Sequence, residues 1–410
     1  MSAAGRYDMK KLLSLLASAA ITFSAAPLSE AAAEDVGGFV LSYTIEDKQA
    51  TVTGCAGSDA ILIIPAELEG CPVTAVADNA FSGNKDIGVC VIPDSVKTIG
   101  ERAFSACPSL STITIGSSVA EIGDYAFAAC PALAYIDVNK NNATYSNIDG
   151  CLYENGDTLL LYAGSSEAVI NKNTKTIRKG AFFGKADVVS AALPDSVKTI
   201  DDHAFSGCLS LKSVDIPDSV TTLGKGCFMS CSELESVTVG KGVKTIPENC
   251  FHSCTSLKTA DIPDTVTSIG SEAFYSCSDI SGIYVPDSVK TIGREALGRR
   301  YDARNSSSEN ISGFIIRGEK GSVAEKYASD SGLAFEVGKT PRGDVNGDGF
   351  IDAVDASTVL AEYARLSSNK KGTFTAEQNT AADFNGDGKV DAVDASAILA
   401  KYASLSARSL

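Results

Sequence analysis

The chain has no tryptophan, two histidines and three methionines in 410 residues. Without tryptophan, a sugar-binding platform loses its best flat face, and Tyr125, Tyr135, Tyr275 and Tyr284 are left to supply one. His203 and His252 are the whole stock of imidazole, which is little for general acid–base chemistry. No glycine-rich phosphate loop or nucleotide signature occurs. Positive charge is also scarce: 35 Lys and Arg against 51 Asp and Glu give a net charge of −16. Such a balance disfavours nucleic acid and anionic membranes as partners. Beyond the first thirty or so residues there is no second long hydrophobic run and no cell-wall sorting tail.

The front of the chain does have an export pattern. Lys10-Lys11 precede an apolar run from Leu12 to Ala26, and small residues follow to Ala31-Ala32-Ala33. A charged segment, a short apolar segment and an Ala-x-Ala site predict a signal peptide over residues 1–33, cut before Glu34. The run is too short and too rich in Ala and Ser for a membrane span. Met9 is an alternative start. The expectation is a secreted, extracellular protein with no membrane span.

The middle of the chain repeats itself. Phe81, Phe104 and Phe127 are 23 residues apart, and so are Phe205, Phe228, Phe251 and Phe274. A fixed period of this size predicts a solenoid, in which each coil buries its apolar side against the next. In the unit Ala204–Gly226, Leu211, Val214 and Ile216 suit a short strand and Pro217-Asp218 a turn. Val220 and Leu223 suit a second strand, Gly224 a bend, and the Ala-Phe pair a helical turn. From Phe127 to Phe182 the spacing is 55 residues, so the register breaks. The insert runs from about 139 to 175, and its apolar runs either side of Asn155-Gly156 predict a β-hairpin. After Ala296 comes an irregular stretch, and then a predicted cap over about 311–338, a strand and a short helix.

Eight of the twelve cysteines follow the same period. Cys107, Cys130, Cys208, Cys231, Cys254 and Cys277 all stand three residues after the repeat Phe, and Cys227 with Cys250 start a second column. Neighbouring coils sit about 5 Å apart, within disulfide reach. Cysteine is equally a small buried hydrophobe, and Asn84 and Lys185 fill the same position elsewhere, so free thiols and inter-coil bridges both stay open. A zinc site at the Cys-x3-Cys pairs 227/231 and 250/254 has only His252 nearby. A Cys254–His252 nucleophile pair is conceivable by residue type, but residues two apart in a tight turn do not easily face one substrate. No two carboxylates are singled out for glycoside hydrolysis.

The C-terminal part is written twice at an offset of 39 residues: Asp344–Asp355 and Asp383–Asp394. Asp344, Asn346, Asp348, Asp352 and Asp355 occupy positions 1, 3, 5, 9 and 12 of a twelve-residue calcium loop, with Gly349 at 6 and the Phe350 carbonyl at 7. Asp383, Asn385, Asp387, Lys389, Asp391 and Asp394 repeat the set. Crowded carboxylates repel by roughly 1–4 kcal/mol per close pair without a cation, and all-oxygen ligation selects a hard ion, Ca2+. Two ions are expected, with Ile351 and Val390 clipping the loops together. Position 12 is Asp where an EF-hand has Glu, and no helix is expected before either loop. A helix is expected after each, with Val359, Leu360, Tyr363 and Leu366, or Ile398, Leu399, Tyr402 and Leu405, as an apolar stripe.

Loop plus exit helix, duplicated over residues 342–410, resembles a type I dockerin, and residues 36–338 resemble the BspA-like leucine-rich repeat family, including the hairpin insert and the closing Gly321-Ser-Val-Ala-Glu-Lys-Tyr-Ala328. The resemblances imply a β-rich leucine-rich-repeat solenoid over 34–338, with short strands and helical turns, and a linker at 339–342. A small all-α dockerin with two calcium-binding F-hand motifs comes next, over 343–410. They also imply partners: a cohesin module of a cellulosomal scaffoldin, in the context of plant polysaccharide degradation, and a cell-wall polysaccharide or surface protein for the repeats. The dockerin likeness places recognition on Ala353, Val354, Leu360 and Ala361 and on Ala392, Val393, Leu399 and Ala400, of the Ala-Val-Asp-Ala-Ser form of ruminococcal systems. Leu360 and Leu399 as plain core is the competing reading. The company dockerins keep leaves a hydrolase or peptidase on the repeats as the alternative to a non-enzymatic binding protein.

Overall fold

The computed structural model describes residues 32–36, 38–164, 166–338, 342–347, 351–385 and 387–406. The N-terminal end is covered by an antiparallel meander of strands Ala32–Val36, Phe39–Glu46 and Gln49–Gly57. The first of these strands runs across the expected cleavage position, while residues 1–31 lie outside the described ones.

From there the chain winds as a solenoid with two parallel ladders of very short strands. In the unit Ala204–Gly226, Ser213–Asp215 pairs with the coils before and after it, Val214 opposite Val237. Thr222–Leu223 pairs with Thr199–Ile200. The strands are shorter than expected: Leu211, Ile216 and Val220 are buried but lie outside them. Gly224 is required by proximity and not by a bend. A Cβ there would stand 2.2 Å from the Asp202 amide nitrogen of the preceding coil.

The segment around each Phe is not a helical turn. Local N–H to C=O bonds three residues apart do form, as from Ser206 to His203 and Cys208 to Phe205. They are interrupted by left-handed residues two before and two after the aromatic, for example Arg102 and Ala106, or Asn249 and Ser253. That twist turns alternate amides toward the next coil. The Phe205, Phe228 and Phe251 N–H groups donate to the Cys227, Cys250 and Ala273 carbonyls at 2.8–2.9 Å. A third hydrogen-bonded ladder therefore joins the two strand ladders. Inside it, Phe205, Phe228, Phe251 and Phe274 stack at 5.1–5.6 Å with their rings nearly parallel.

At the register break the expected hairpin is present: Cys151–Glu154 against Thr158–Leu161, with Asn155 and Gly156 both left-handed in the turn. A further strand, Tyr145–Ile148, flanks it. The hairpin is no appendage. Leu152 and Leu161 pack into the N-terminal core, whereas Cys151, Tyr153 and Leu159 pack into the C-terminal one, so it partitions the interior. The register slips by one at Leu160. Tyr162 supplies the missing rung: its ring stacks on Phe182 at 4.5 Å and its N–H donates to the Ala181 carbonyl. Cations caulk the seam. Arg178 reaches back to the Ile122 carbonyl and Asp124, Lys179 to Asp124, and the buried Lys185 to the Leu133 carbonyl at 2.8 Å. Lys185 stands in the cysteine position of the repeat, and burial holds its amine below the usual lysine value.

The stretch after Ala296, expected to be irregular, forms a hairpin of Arg299–Asp302 and Ser307–Asn310. The closing segment is strand Ile315–Gly318, helix α1 (Val323–Ser331), capped by Ser322 and ended by left-handed Gly332, and strand Ala334–Val337. The C-terminal unit contains helices α2 (Ala353–Ser367), α3 (Ala376–Ala382) and α4 (Ala392–Ser406). Its buried apolar core is small: Val345, Ala356, Val359, Ala382, Ala395 and Ile398.

Candidate functional site

Each duplicated loop is closed by its last aspartate. Asp355 is fully buried; Oδ1 accepts from the Val345 and Asn346 amides at 2.8 and 3.1 Å, and Oδ2 from the Asp352 amide at 2.9 Å. Asp394 is equally buried and accepts from the Asn385 and Asp391 amides at 3.1 and 2.9 Å. The residue three before it caps the following helix. Asp352 accepts from the Val354 amide and Asp391 from the Val393 amide, each at 2.7 Å. Positions 9 and 12 thus form a capping box for the first copy, reinforcing α2 where its four initial N–H groups lack partners.

The other predicted ligands line the same loops. Asp344 is buried and accepts from the Gly347 amide; Asp383 accepts from Gly388, Asn385 from Asp387, and Asp387 from Lys389. Asp348 and Phe350 lie outside the described residues. Whether these side chains suit a cation is tested by the second oxygen of Asp383. Asp383 Oδ1 is shut off from solvent and has no hydrogen-bond partner. A buried, unpaired carboxylate oxygen is costly unless a cation meets it. With all-oxygen donors around it, the site fits a hard divalent ion.

The expectation of no helix before either loop fails for the second one. Seven-residue α3 precedes Asp383, started by a Thr375/Gln378 capping box. It also braces the first loop: the Gly343 amide donates to the Ala381 carbonyl, and Gln378 Nε2 to the Val345 carbonyl. Gly343 has φ of +96°, and a Cβ there would press on the Phe384 ring at 2.9 Å, so the two loops meet at a glycine. Ile351 and Val390 pack half-buried against this core.

Helices α2 and α4 carry the same burial pattern over Ala353–Ala361 and Ala392–Ala400. The expected stripe is corrected: Asp355, Ala356, Val359 and Glu362 are buried, while Leu360, Tyr363 and Leu366 are exposed. At about 100° per residue, Val354 and Ala361 share the face away from the core, with Ala353 and Leu360 on its flank. Val354 and Val393 are 54% and 59% exposed, and Leu360 and Leu399 are each 43% exposed. Ala353, Ala361, Ala392 and Ala400 are exposed beside them. Val359 and Ile398, not the leucines next to them in the chain, fill the seam.

The repeat domain offers no assembled catalytic pair at Cys254 and His252. Cys254 is fully buried and donates to the Phe228 carbonyl at 3.2 Å, and burial drives its thiol well above its ordinary pKa. His252 is stacked on Tyr275, bonds Ser253 Oγ through Nδ1, and is held below its usual pKa by burial against the opposing pull of Glu272. A groove of about 640 Å3 reaches the seam, with Asp78, Glu101, Glu121, Asp124 and Arg178 among its lining residues.

The BspA type leucine rich repeat region matches in six copies over residues 72–159 and 175–302. The chain belongs to the BspA-type leucine-rich repeat proteins. The break between the two matched stretches begins within the second strand of the hairpin, Thr158–Leu161. A type I dockerin domain matches residues 342–402, so this BspA-type protein ends in a dockerin, a calcium-binding module whose partner is cohesin in cellulosome-type assemblies. No curated protein matches the chain. It is similar to a leucine-rich repeat protein of Eubacterium ventriosum (19% identity, 76% of this chain and 97% of that one, TM-score 0.48). It is also similar to a leucine rich cell surface protein of Faecalibacterium prausnitzii (23%, 74% and 98%, TM-score 0.37) and to the pneumococcal vaccine antigen PcpA (15%, 76% and 100%, TM-score 0.37). Among the described residues, no helix is long and apolar enough to cross a membrane.

Proposed function

We propose that this is a secreted, non-catalytic binding protein held in a cellulosome-type complex of plant polysaccharide degradation. Its dockerin binds two calcium ions. Asp344, Asn346, Asp348, Asp352 and Asp355 with the Phe350 carbonyl hold one, and Asp383, Asn385, Asp387, Asp391 and Asp394 with the Lys389 carbonyl hold the other. Calcium fixes the loops, and the loops orient the exposed faces that meet cohesin: Ala353, Val354, Leu360 and Ala361, or Ala392, Val393, Leu399 and Ala400. The observation that carries this reading is the exposure of Val354 and Val393 beside fully buried Asp355 and Asp394, which couples the docking face directly to the loop clamp. The repeat domain presents a second ligand, a wall polysaccharide or a surface protein, with the carboxylates and Arg178 of the seam groove as hydrogen-bonding groups.

The test is capture from the native secretome on the full chain, with and without a chelator. A cohesin-bearing scaffold should be retained only with calcium, and not by a Val354→Asp/Val393→Asp double variant. Retention indifferent to both would end the docking reading. Retention of a glycan or second protein by the double variant would identify the ligand of the repeats.

A further inference from the structure

The two cysteine columns share one period and differ in what their sulfurs meet. In the column three residues after the Phe, each thiol is engaged with the backbone of the coil before it. Cys107, Cys130, Cys208, Cys231, Cys254 and Cys277 donate to the Phe81, Phe104, Phe182, Phe205, Phe228 and Phe251 carbonyls at 3.0–3.4 Å. The second column sits immediately before the Phe, where other coils have alanine: Ala103, Ala126, Ala181, Ala204 and Ala273. In two successive coils a thiol stands where the others have a methyl group, and the two sulfurs meet. Cys227 Sγ and Cys250 Sγ lie 3.4 Å apart, and both residues are fully buried.

We propose that Cys227 and Cys250 are the cross-linking site of the solenoid, closing a disulfide between adjacent coils during oxidative folding while the carbonyl-bonded column stays reduced. The location rests on the reading that the chain is exported, since disulfides persist in oxidising compartments. Adjacent coils are spaced by about 4.8 Å, inside the α-carbon range a disulfide spans. The sulfurs need to close by a little over 1 Å to reach the bonded distance of about 2 Å. The oxidant is a low-molecular-weight disulfide. One protein thiolate attacks it, expels one small thiolate and forms a mixed disulfide; the second protein thiolate then displaces the other half. Two electrons and two protons leave the protein thiols, and two small-molecule thiols result. Because the pair is sealed in the folded core, the exchange belongs to the unfolded or partly wound chain.

The experiment refolds the purified full chain with calcium in a mixture of oxidised and reduced glutathione, quenches with an alkylating agent under denaturing conditions, and maps the peptides by mass spectrometry. Purified protein is used, so the result does not depend on where a cell puts the chain. The expected product is a Cys227–Cys250 cross-linked peptide with Cys208, Cys231, Cys254 and Cys277 alkylated. Reduction should lower the midpoint of the solenoid by on the order of 5 °C. A Cys227→Ala/Cys250→Ala variant, which carries what other coils already have, should fold and show no such shift. Alkylation of both Cys227 and Cys250, or a dominant bridge within the other column, would overturn the proposal.

Discussion

The solenoid and the dockerin are both internal repeats, of 23 and 39 residues, and they stabilise themselves by unlike means. A coil such as the one around Phe228 buries an aromatic ring, two thiols and several aliphatic side chains and hands the same surfaces to its neighbours. A dockerin half buries little beyond Ala356 and Val359, or Ala395 and Ile398, next to aspartates that are themselves buried. Apolar burial at about 25 cal/mol per Å2 can hold the first without help. The second places negative charge where apolar surface would normally be, so its stability is contingent on the cation that neutralises it. Apolar burial holds the repeat domain, and an ion holds the part that docks.

Removing calcium should separate the two regions most directly. Calorimetry of the full chain should show a dockerin transition that disappears with chelator while the solenoid midpoint stays put; a solenoid that melts with the dockerin would refute the division. Next in size is docking itself. If the two copies dock interchangeably, Val354→Asp and Val393→Asp singly should each cost less than about tenfold in cohesin affinity, and together more than about a hundredfold. One single variant that abolishes binding in a biosensor assay would show that only one copy is used. Phe228→Ala, inside the aromatic ladder, should destabilise the solenoid by about 3–5 kcal/mol in denaturant titration and leave the calcium titration of the dockerin unchanged.

Within the dockerin, one buried carboxylate should have a more modest effect. Buried Glu362 accepts from the Thr373 amide and hydroxyl and from the Phe374 amide, with Arg365 at 3.6 Å, and so ties the connection between the copies to α2. Its place in the second copy is taken by Lys401. Burial pushes its carboxyl up, but these donors and the guanidinium outweigh it, and the pKa lies below the ordinary 4.5. The folded value being depressed, its contribution is present above the unfolded value and lost as pH falls through the folded one. Glu362→Gln should cost the calcium-loaded dockerin about 1–3 kcal/mol at neutral pH. The difference from wild type should shrink below about pH 4; a gap that persists there would remove the carboxylate from the explanation.

Periodicity made the solenoid readable, because a column such as Phe205, Phe228, Phe251 and Phe274 is one environment repeated. Periodicity is silent where the environment is kept but the spacing is not. Tyr162 completes the ladder, yet it stands 35 residues after Phe127 and 20 before Phe182, and only its position before Ala163-Gly164 hinted at the role. The left-handed residues beside each aromatic were equally hidden. Arg102, Tyr125, His203 and Glu272 bear no sign of a conformation costing about 1 kcal/mol or more, which only the neighbouring coils can enforce. In the dockerin, the ligand positions stood out as oxygen donors at fixed spacing. Helix α3 did not, since seven residues show too little period, and Glu362 did not, since its partners are backbone amides that no sequence pattern marks.

The alternate amides that point from coil to coil around each Phe have a kinetic consequence. Turn segments ordinarily exchange their amide hydrogens with solvent quickly, because local fluctuations release them. Here the Phe205, Phe228 and Phe251 amides, and those two residues to either side such as His203 and Ser230, are held by the following coil. They should exchange only when two coils separate, as slowly as the strand amides, while the residues between them exchange by local opening. An alternating record of slow and fast sites along a turn would report directly how far the winding is intact.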